Sequence, residues 1–487
     1  MDFLDPKKHR RHMIQLMVGY VLIGSAILIA TVILLELAYG YGLKNGQVIQ
    51  NGLVFVSSQP NPAVISFNGK VIKARTNTRQ LLQSGTYTMR LSLTGYQDWQ
   101  QTIDVEGGSV AHYDYPFLFP NKLVTTTIKT YSASPSLTTG SPDLRWLLVT
   151  QPSNAAAFDM YDLKNPKLAP TVLTVPADVI STGTTQSWSS PVWADDNRHV
   201  LVKHSYDGSY EYVLIDRQDP TQSVNLTKTL NAGASIITLL NDKYNQYYVY
   251  DASTQVLTTA TLANPTETPY LQNVLAYQPY GSNSMLYATT DGAETGKVAI
   301  KLLQNGTTYD LRSVSANTSY VLAIAQYSGD LYVGLGASSE GRVYIYKNPV
   351  DQLGSSLGLL IPVQVLKLSA PTYLSFSPGS QYVAEENGTQ FAVYDALMGK
   401  ATQYKLGSSP LDVPQAHASW MDGARLDYVS GGKLTVFDFN GTNQHTLMPA
   451  SASYVPAFGP SYKFVDTLAP ANANGSELLT STALIVQ

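Results

Sequence analysis

Hydrophobic residues are distributed along this chain in two different ways. Residues 13–39, MIQLMVGYVLIGSAILIATVILLELAY, form a continuous apolar run with no Lys, Arg or Asp and a single Glu, Glu36, near its end. As a helix this run extends roughly 40 Å, more than the roughly 30 Å hydrocarbon core of a bilayer. From residue 52 onward, apolar positions come instead in short stretches broken by Gly, Asn, Asp, Pro and Ser. Val54 and Val56, then Val64, Ile65 and Phe67, then Tyr87, Met89, Leu91 and Leu93 fall at or near every second position, the spacing of half-buried strands. The pattern predicts a single N-terminal transmembrane helix followed by a mostly β chain.

Charge orients the helix. Lys7, Lys8, Arg10 and Arg11, with His9 and His12, precede the apolar run, and the next basic residue is Lys44. This asymmetry predicts a cytoplasmic N-terminus and an extracytoplasmic remainder, a single-pass protein of the cell membrane. The competing reading is a cleaved secretion signal. Signal cores are usually about 7 to 15 residues long and end in a small-x-small site, whereas a cut after Ala38 would leave Glu36 at the minus-three position. The run is therefore expected to stay as a signal anchor, with Glu36 reaching headgroups and water at the outer interface. Residues 1–12 are a basic tail too short to fold, and residues 40–51, rich in Gly and Asn, predict a short tether.

Residues 52–120 predict a small β-sandwich of seven short strands, with Asn68-Gly69 as a hairpin turn because both central residues of a type I′ turn need positive φ. Ser58, Pro60, Asn68, Gly69, Gly85, Tyr87, Gly95 and Tyr96 fall where the PEGA domain family has its Ser-x-Pro element, its hairpin and its GxYxVxxxxxGY stretch, and this segment resembles that family. The family's Pro-Glu-Gly-Ala signature is replaced by Pro60-Asn61-Pro62-Ala63, and its Thr-Pro by Thr76-Asn77. The resemblance implies a small β module of bacterial envelope proteins without catalytic residues. Tyr96, Trp99, Tyr113 and Tyr115 would either line a glycan-binding surface or form core and cross-strand pairs, and the second is the expectation.

Residues 121–487 carry a longer repeat. Polar turns at SPDLRW, WADDNR, NDKYNQ, YGSNS, YSGDL, SPGSQ, MDGAR and GPSYK recur 38 to 53 residues apart, with a mean of about 45. One four-stranded propeller blade takes about 40 to 50 residues. The stretches beginning FSPGSQYVAEEN and SWMDGARLDYVS resemble WD-repeat and TolB-like propeller blades, and their Asp, Asn and Gly are turn chemistry. The last unit lacks a fourth strand, while residues 123–131, LVTTTIKTY, stand before the first unit without a place of their own. Pairing the two closes a ring of eight blades and hides two open edges. Seven blades is the alternative, if the unit around Tyr280 or Tyr327 is not a complete sheet.

Composition narrows the chemistry. Charged residues make up 14% of the chain, well below the roughly 25% of an average domain, and 33 tyrosines with Thr, Ser and Asn fill the difference. The net charge of -4 comes with no basic run beyond Arg11, which argues against a nucleic-acid partner. The chain has no cysteine, so disulfides, thiolate nucleophiles and Cys-ligated metals are excluded. His199 and His204, five apart on a strand, point to opposite faces and make no metal pair. Asp195-Asp196-Asn197 could offer oxygens to Ca²⁺ but sits where a turn is expected. Neither a catalytic, cofactor nor metal residue is assigned. The expected function is noncovalent binding or scaffolding of an envelope protein or glycan, and the competing one is a propeller enzyme, either a glycoside hydrolase or a quinone-dependent oxidoreductase. VYDALMGKATQY faintly resembles a quinone-enzyme docking motif, but it occurs once and has Tyr404 where Trp is expected.

Overall fold

The computed structural model describes residues 6–38, 41–44, 47–354, 358–407, 410–415, 417–471 and 475–486. Two compact units result, Met1–Lys122 and Leu123–Gln487. The first begins with helix α1, Pro6–Ala38, which starts before the apolar run and so draws the end of the basic tail into its first turns. Pro suits a first helical position, where its missing N–H costs nothing. An 18-residue stretch within residues 10–34 has a mean hydropathy of 2.4, and the side chains from Met13 to Leu34 are exposed around nearly the whole circumference. Such a helix has the length and apolarity of a membrane anchor or a signal sequence.

The expected loose tether is replaced by a hairpin. Tyr41–Lys44 pairs antiparallel with the start of Gln47–Val56, from Tyr41 opposite Gln50 to Lys44 opposite Gln47. The β-branched Val48 and Ile49, preceded in the sequence by the hairpin dipeptide Asn45-Gly46, favour strand over loop. Gln47–Val56 then lies between Thr78–Gln83 and Val110–Tyr113, and a second sheet runs in the order Lys70–Arg75, Val64–Phe67, Gly85–Ser92, Trp99–Val105. Val54, Val56, Ile65, Met89, Leu91, Trp99 and Ile103 fill the space between the sheets. The predicted turn is present, with Asn68 at φ 48° and Gly69 at φ 78°.

The second unit contains, among the described residues, eight four-stranded antiparallel sheets. Seven are continuous in sequence, spanning residues 138–174, 186–225, 236–271, 274–315, 320–366, 373–405 and 419–449, and each runs in simple up-and-down order. The units around Tyr280 and Tyr327 are complete sheets. Each predicted turn joins the innermost strand of a sheet to its second strand. Central strands are buried on both faces, so they read as unbroken apolar runs. In Leu147-Leu148-Val149 of the first sheet, Leu148 packs with Trp188 and Val200 of the second, while Leu147 and Val149 pack with Leu468 and Leu479 of the eighth. Repeating this two-sided packing sheet after sheet is what makes the unit a β-propeller.

The eighth sheet takes its innermost three strands from residues 457–483 and its fourth, Val124–Tyr131, from the beginning of the unit. Val124–Tyr131 runs antiparallel to Glu477–Ala483, from Tyr131 opposite Glu477 to Val124 opposite Ala483. Side chains reinforce the seam. Lys129 Nζ lies 2.6 Å from Asp159 Oδ2 of the first sheet, and the Tyr131 hydroxyl donates to the same oxygen at 2.7 Å. The Tyr454 hydroxyl donates to the Pro135 carbonyl at 2.9 Å. Burial works against the Asp159 charge, but these donors hold its carboxyl below the usual carboxylate range.

Several carboxyls are less well provided for. Both oxygens of Glu385 and Asp466, one of Glu386 and one of Asp427 are buried without a hydrogen-bond partner. Glu386 accepts one bond, from the Ala418 N–H at 2.9 Å. Asp466 and Thr138 line a cavity of about 10 Å³ between the eighth and first sheets. Burial pushes Glu385, Glu386 and Asp427 up to about 8 and Asp466 up to about 7.

Two outcomes follow from this packing. Deleting residues 123–131 exposes the edge of Glu477–Ala483 and strips Asp159 of its donors; thermal unfolding should shift down by on the order of 10 °C or end in aggregation. A deletion variant that melts with the parent would show that the seam carries no stability. The second outcome concerns pH. The unfolded chain releases the four protons at ordinary carboxylate values, so between about pH 4.5 and 8 the folded protein holds more protons than the unfolded one. Stability should therefore be greatest at the acidic end of that window and fall as pH rises, by up to about 1.4 kcal/mol per group for each pH unit. Denaturant titrations from pH 5 to 9 should show this slope, and Glu385→Gln or Asp427→Asn should flatten it.

Candidate functional site

Polar and aromatic side chains gather where the first turns of the first three sheets come together. Each turn folds for the reason seen in the sequence. Ser141 Oγ accepts the Trp146 N–H at 2.9 Å, and Asp196 Oδ1 accepts those of Arg198 and His199 at 2.8 and 3.0 Å. Leu144, Asn197, Asn241 and Asp242 adopt positive φ, between 53° and 58°. Asp195-Asp196-Asn197 is thus a turn, as expected.

In the first and second sheets a charge clamp locks the turn to the end of its own sheet's third strand. Arg145 holds Asp162 with two hydrogen bonds, of 3.2 and 3.1 Å. In the second sheet Arg198 Nε donates to Asp216 Oδ1 at 2.8 Å, with Nη2 closing the fork on Oδ2. Gln381 and Asp395 repeat the arrangement at 3.1 Å in the sixth sheet. The aspartate ends the third strand each time and also caps the turn behind it; Asp216, for example, accepts the Gln218 and Asp219 N–H groups at 2.9 and 3.1 Å. Burial opposes the charge on Asp162 and Asp216, but the arginines and these turn N–H groups hold both carboxyls low.

Neighbouring turns are stitched together. The Asp143 N–H donates to Asn197 Oδ1 at 3.1 Å, and the Asp195 N–H to the Asp242 carbonyl at 2.8 Å. Lys243 pairs with Asp195. The His199 ring stacks on Tyr244 with centroids 4.1 Å apart and planes 11° apart, while its Nδ1 lies 2.6 Å from Asp196. Trp146 has two guanidiniums near its ring, Arg145 at 4.6 Å and Arg217 at 4.1 Å. Arg217, on the turn after the second sheet's third strand, donates from Nε to the Asn197 carbonyl at 2.6 Å. Among the described residues its two terminal nitrogens make no hydrogen bond. Partial burial lowers its pKa, against the attraction of nearby Asp143.

The remaining candidate residues lie elsewhere. His204 is fully buried, with Nδ1 3.0 Å from Glu211 and Nε2 3.1 Å from Gln186, and its ring packs on Trp188 at 4.5 Å. His199 packs toward the third sheet and His204 on Trp188, so the pair does not converge. Of the sandwich aromatics, Trp99 and Tyr113 are core, and Tyr115 meets the Trp99 ring edge-on at 5.8 Å while donating to Gln101 at 2.6 Å. Tyr96 and Tyr115 are partly buried against the same core, the packing expected of these four residues. Glu385, Glu386, Asp427 and Asp466 are buried inside the propeller. A groove of about 290 Å³ between the outer strands of the fifth and sixth sheets is lined by Gln364, Lys367, Ala392, Thr402 and Gln403.

Sequence reasoning identified the turns but missed the clamp and the Trp146 assembly. The recurring Tyr-Asp or Ile-Asp ends of third runs, set against an Arg beginning a second run, were the available signal for the clamp. Nothing local pairs Trp146 with Arg217, which come from different sheets.

Comparison with known proteins agrees with this architecture. Residues 51–118 match the PEGA domain family. No curated protein matches the chain. Among solved structures, the β-propeller domain of Cps50 (Swd1) from Myceliophteria thermophila is 12% identical over 74% of this chain and 100% of that one, with a TM-score of 0.38. The Dos1 propeller is 10% identical over 74% and 94%, with a TM-score of 0.44. Dipeptidyl peptidase 4 of Porphyromonas gingivalis is 12% identical over 69% and 56%, also with a TM-score of 0.44. The chain carries a PEGA domain and a β-propeller behind an apolar N-terminal helix.

Proposed function

We propose that this is a membrane-anchored binding protein of the bacterial cell envelope, whose helix α1 stays in the cytoplasmic membrane and whose propeller captures an envelope protein or polysaccharide without chemistry. The observation that carries the reading is the Trp146, Arg145, Arg217, His199 and Tyr244 assembly. Trp, Tyr and Arg dominate the energetic centres of interfaces because they combine large apolar faces with hydrogen-bonding edges. Here they are held ready by cross-sheet hydrogen bonds, which reduces the ordering cost of binding. Arg217 adds two terminal nitrogens that, among the described residues, have no acceptor. The basic residues ahead of the helix support an inside N-terminus.

The rival class, a propeller enzyme, would place its chemistry in a central pocket and would show turnover of a glycoside or a quinone-linked substrate by the intact protein. Binding is tested by a photo-crosslinking residue at Gln218, beside Arg217, in intact cells. An envelope component should be trapped there and not from the same probe at Thr171, on the outer strand of the first sheet. Arg217→Ala should weaken capture roughly 30-fold, about 2 kcal/mol, with an unchanged melting temperature. Equal trapping from both positions, or none from Gln218, would refute the assignment of this face.

A further inference from the structure

The outer face of the sandwich sheet that follows the helix is unusual. Leu53 stands opposite Leu81 on one side and Val110 on the other, and Phe55 stands opposite Arg79 and His112. Paired residues share a face, so these six side chains make two rows on one surface. The inward residues Val54 and Val56 are core, which leaves this surface turned outward. Leu81 is 63% exposed and Val110 55%. In the second row the Phe55 and His112 rings stack at 4.7 Å, and His112 lies 3.2 Å from Asp114. Arg79, exposed in the second row, makes no ion pair among the described residues.

We propose that this face docks on the membrane surface, with Leu81, Leu53 and Val110 entering the interfacial layer and Arg79 meeting anionic phospholipid headgroups. The inference rests on the reading of α1 as a membrane anchor. Chain length brings the two together: Ala38 ends the helix and Tyr41 begins the sheet, a separation of at most about 11 Å. A tethered domain meets the bilayer at a high effective concentration, so weak contacts suffice. Exposed apolar residues beside an unpaired cation can insert into the interfacial layer of an anionic lipid surface.

The chain has no cysteine, so single cysteines can be labelled cleanly in the full-length protein. Leu81→Cys, Thr102→Cys on the outer side of the other sheet, and Ile23→Cys in the helix would each carry an environment-sensitive fluorophore. The three proteins would be reconstituted in vesicles of phosphatidylcholine with phosphatidylglycerol and lipid-borne quenchers. The expected result is quenching at Ile23 and Leu81 but not at Thr102, with the Leu81 quenching lost when Arg79→Glu is added or phosphatidylglycerol is left out. Val110→Cys should behave as Leu81→Cys and serves in its place if that variant fails to fold. Quenching at Ile23 without quenching at Leu81 and Val110 overturns the docking while leaving the anchor standing. An unquenched Ile23 overturns the anchor and the docking that rests on it. Nitroxides at Leu81 that broaden one another in place of lipid quenching would assign the face to a second copy of the chain and overturn the proposal.

Discussion

A ring of sheets built from one chain has two loose ends, and the pairing of Val124–Tyr131 with Glu477–Ala483 is the constraint on which the rest of the propeller depends. Without it the ring would present two rows of unpaired N–H and C=O groups, and the first and eighth sheets would lose the packing between Leu147 and Leu468. Polar side chains at the seam are unevenly satisfied. Asp159 gathers Lys129, Tyr131 and Gln151, whereas among the described residues both oxygens of Asp466 and one of Glu477 are buried without a hydrogen-bond partner.

Around the rest of the ring, cohesion comes from apolar packing between sheets and from a thin layer of polar stitches. Trp193 Nε1 donates to Thr139 Oγ1 at 2.9 Å, joining the innermost strands of the second and first sheets, and Trp420 Nε1 donates to Ser375 Oγ at 3.0 Å in the seventh and sixth. These bonds tie neighbours at equivalent places. Close approach is arranged locally as well: a Cβ on Gly334 would fall 2.9 Å from Leu374 of the next sheet, so the fifth sheet needs glycine there to pack.

The features legible in the sequence are those with a local cause. Turns at Asn68-Gly69, Ser141 and Asp196 announce themselves because positive φ and side-chain acceptors restrict which residues fit. The orphan strand at residues 123–131 could be placed because a missing partner at the far end of the chain is a matter of counting. The hairpin in the supposed tether was missed although Asn45-Gly46 and the following Val48 and Ile49 carried its signal; the glycines nearby outweighed them. Arg145 with Asp162, and Arg198 with Asp216, stand 17 and 18 residues apart across turns of different length, so no fixed spacing reveals the clamp. Glu385 and Glu386 read as solvent-facing residues of a strand end. Their burial is a property of the neighbouring sheets and has no trace in their own segment.

The closing strand is made long before its partner. Residues 131 and 477 are 346 positions apart, and at ribosomal rates of about 5 to 20 residues per second the interval between them is on the order of 20 to 70 s. During that time Val124–Tyr131 has to remain available while seven other sheets assemble after it. A strand of aliphatic residues alone would be drawn into the wrong sheet or into a neighbouring chain. VTTTIKTY, with four threonines and a lysine, can wait in water as a bare segment and still form the eight-residue ladder when Glu477–Ala483 arrives. The order of the genes' reading frame, first strand first, is thereby turned into an order of assembly in which the ring closes last.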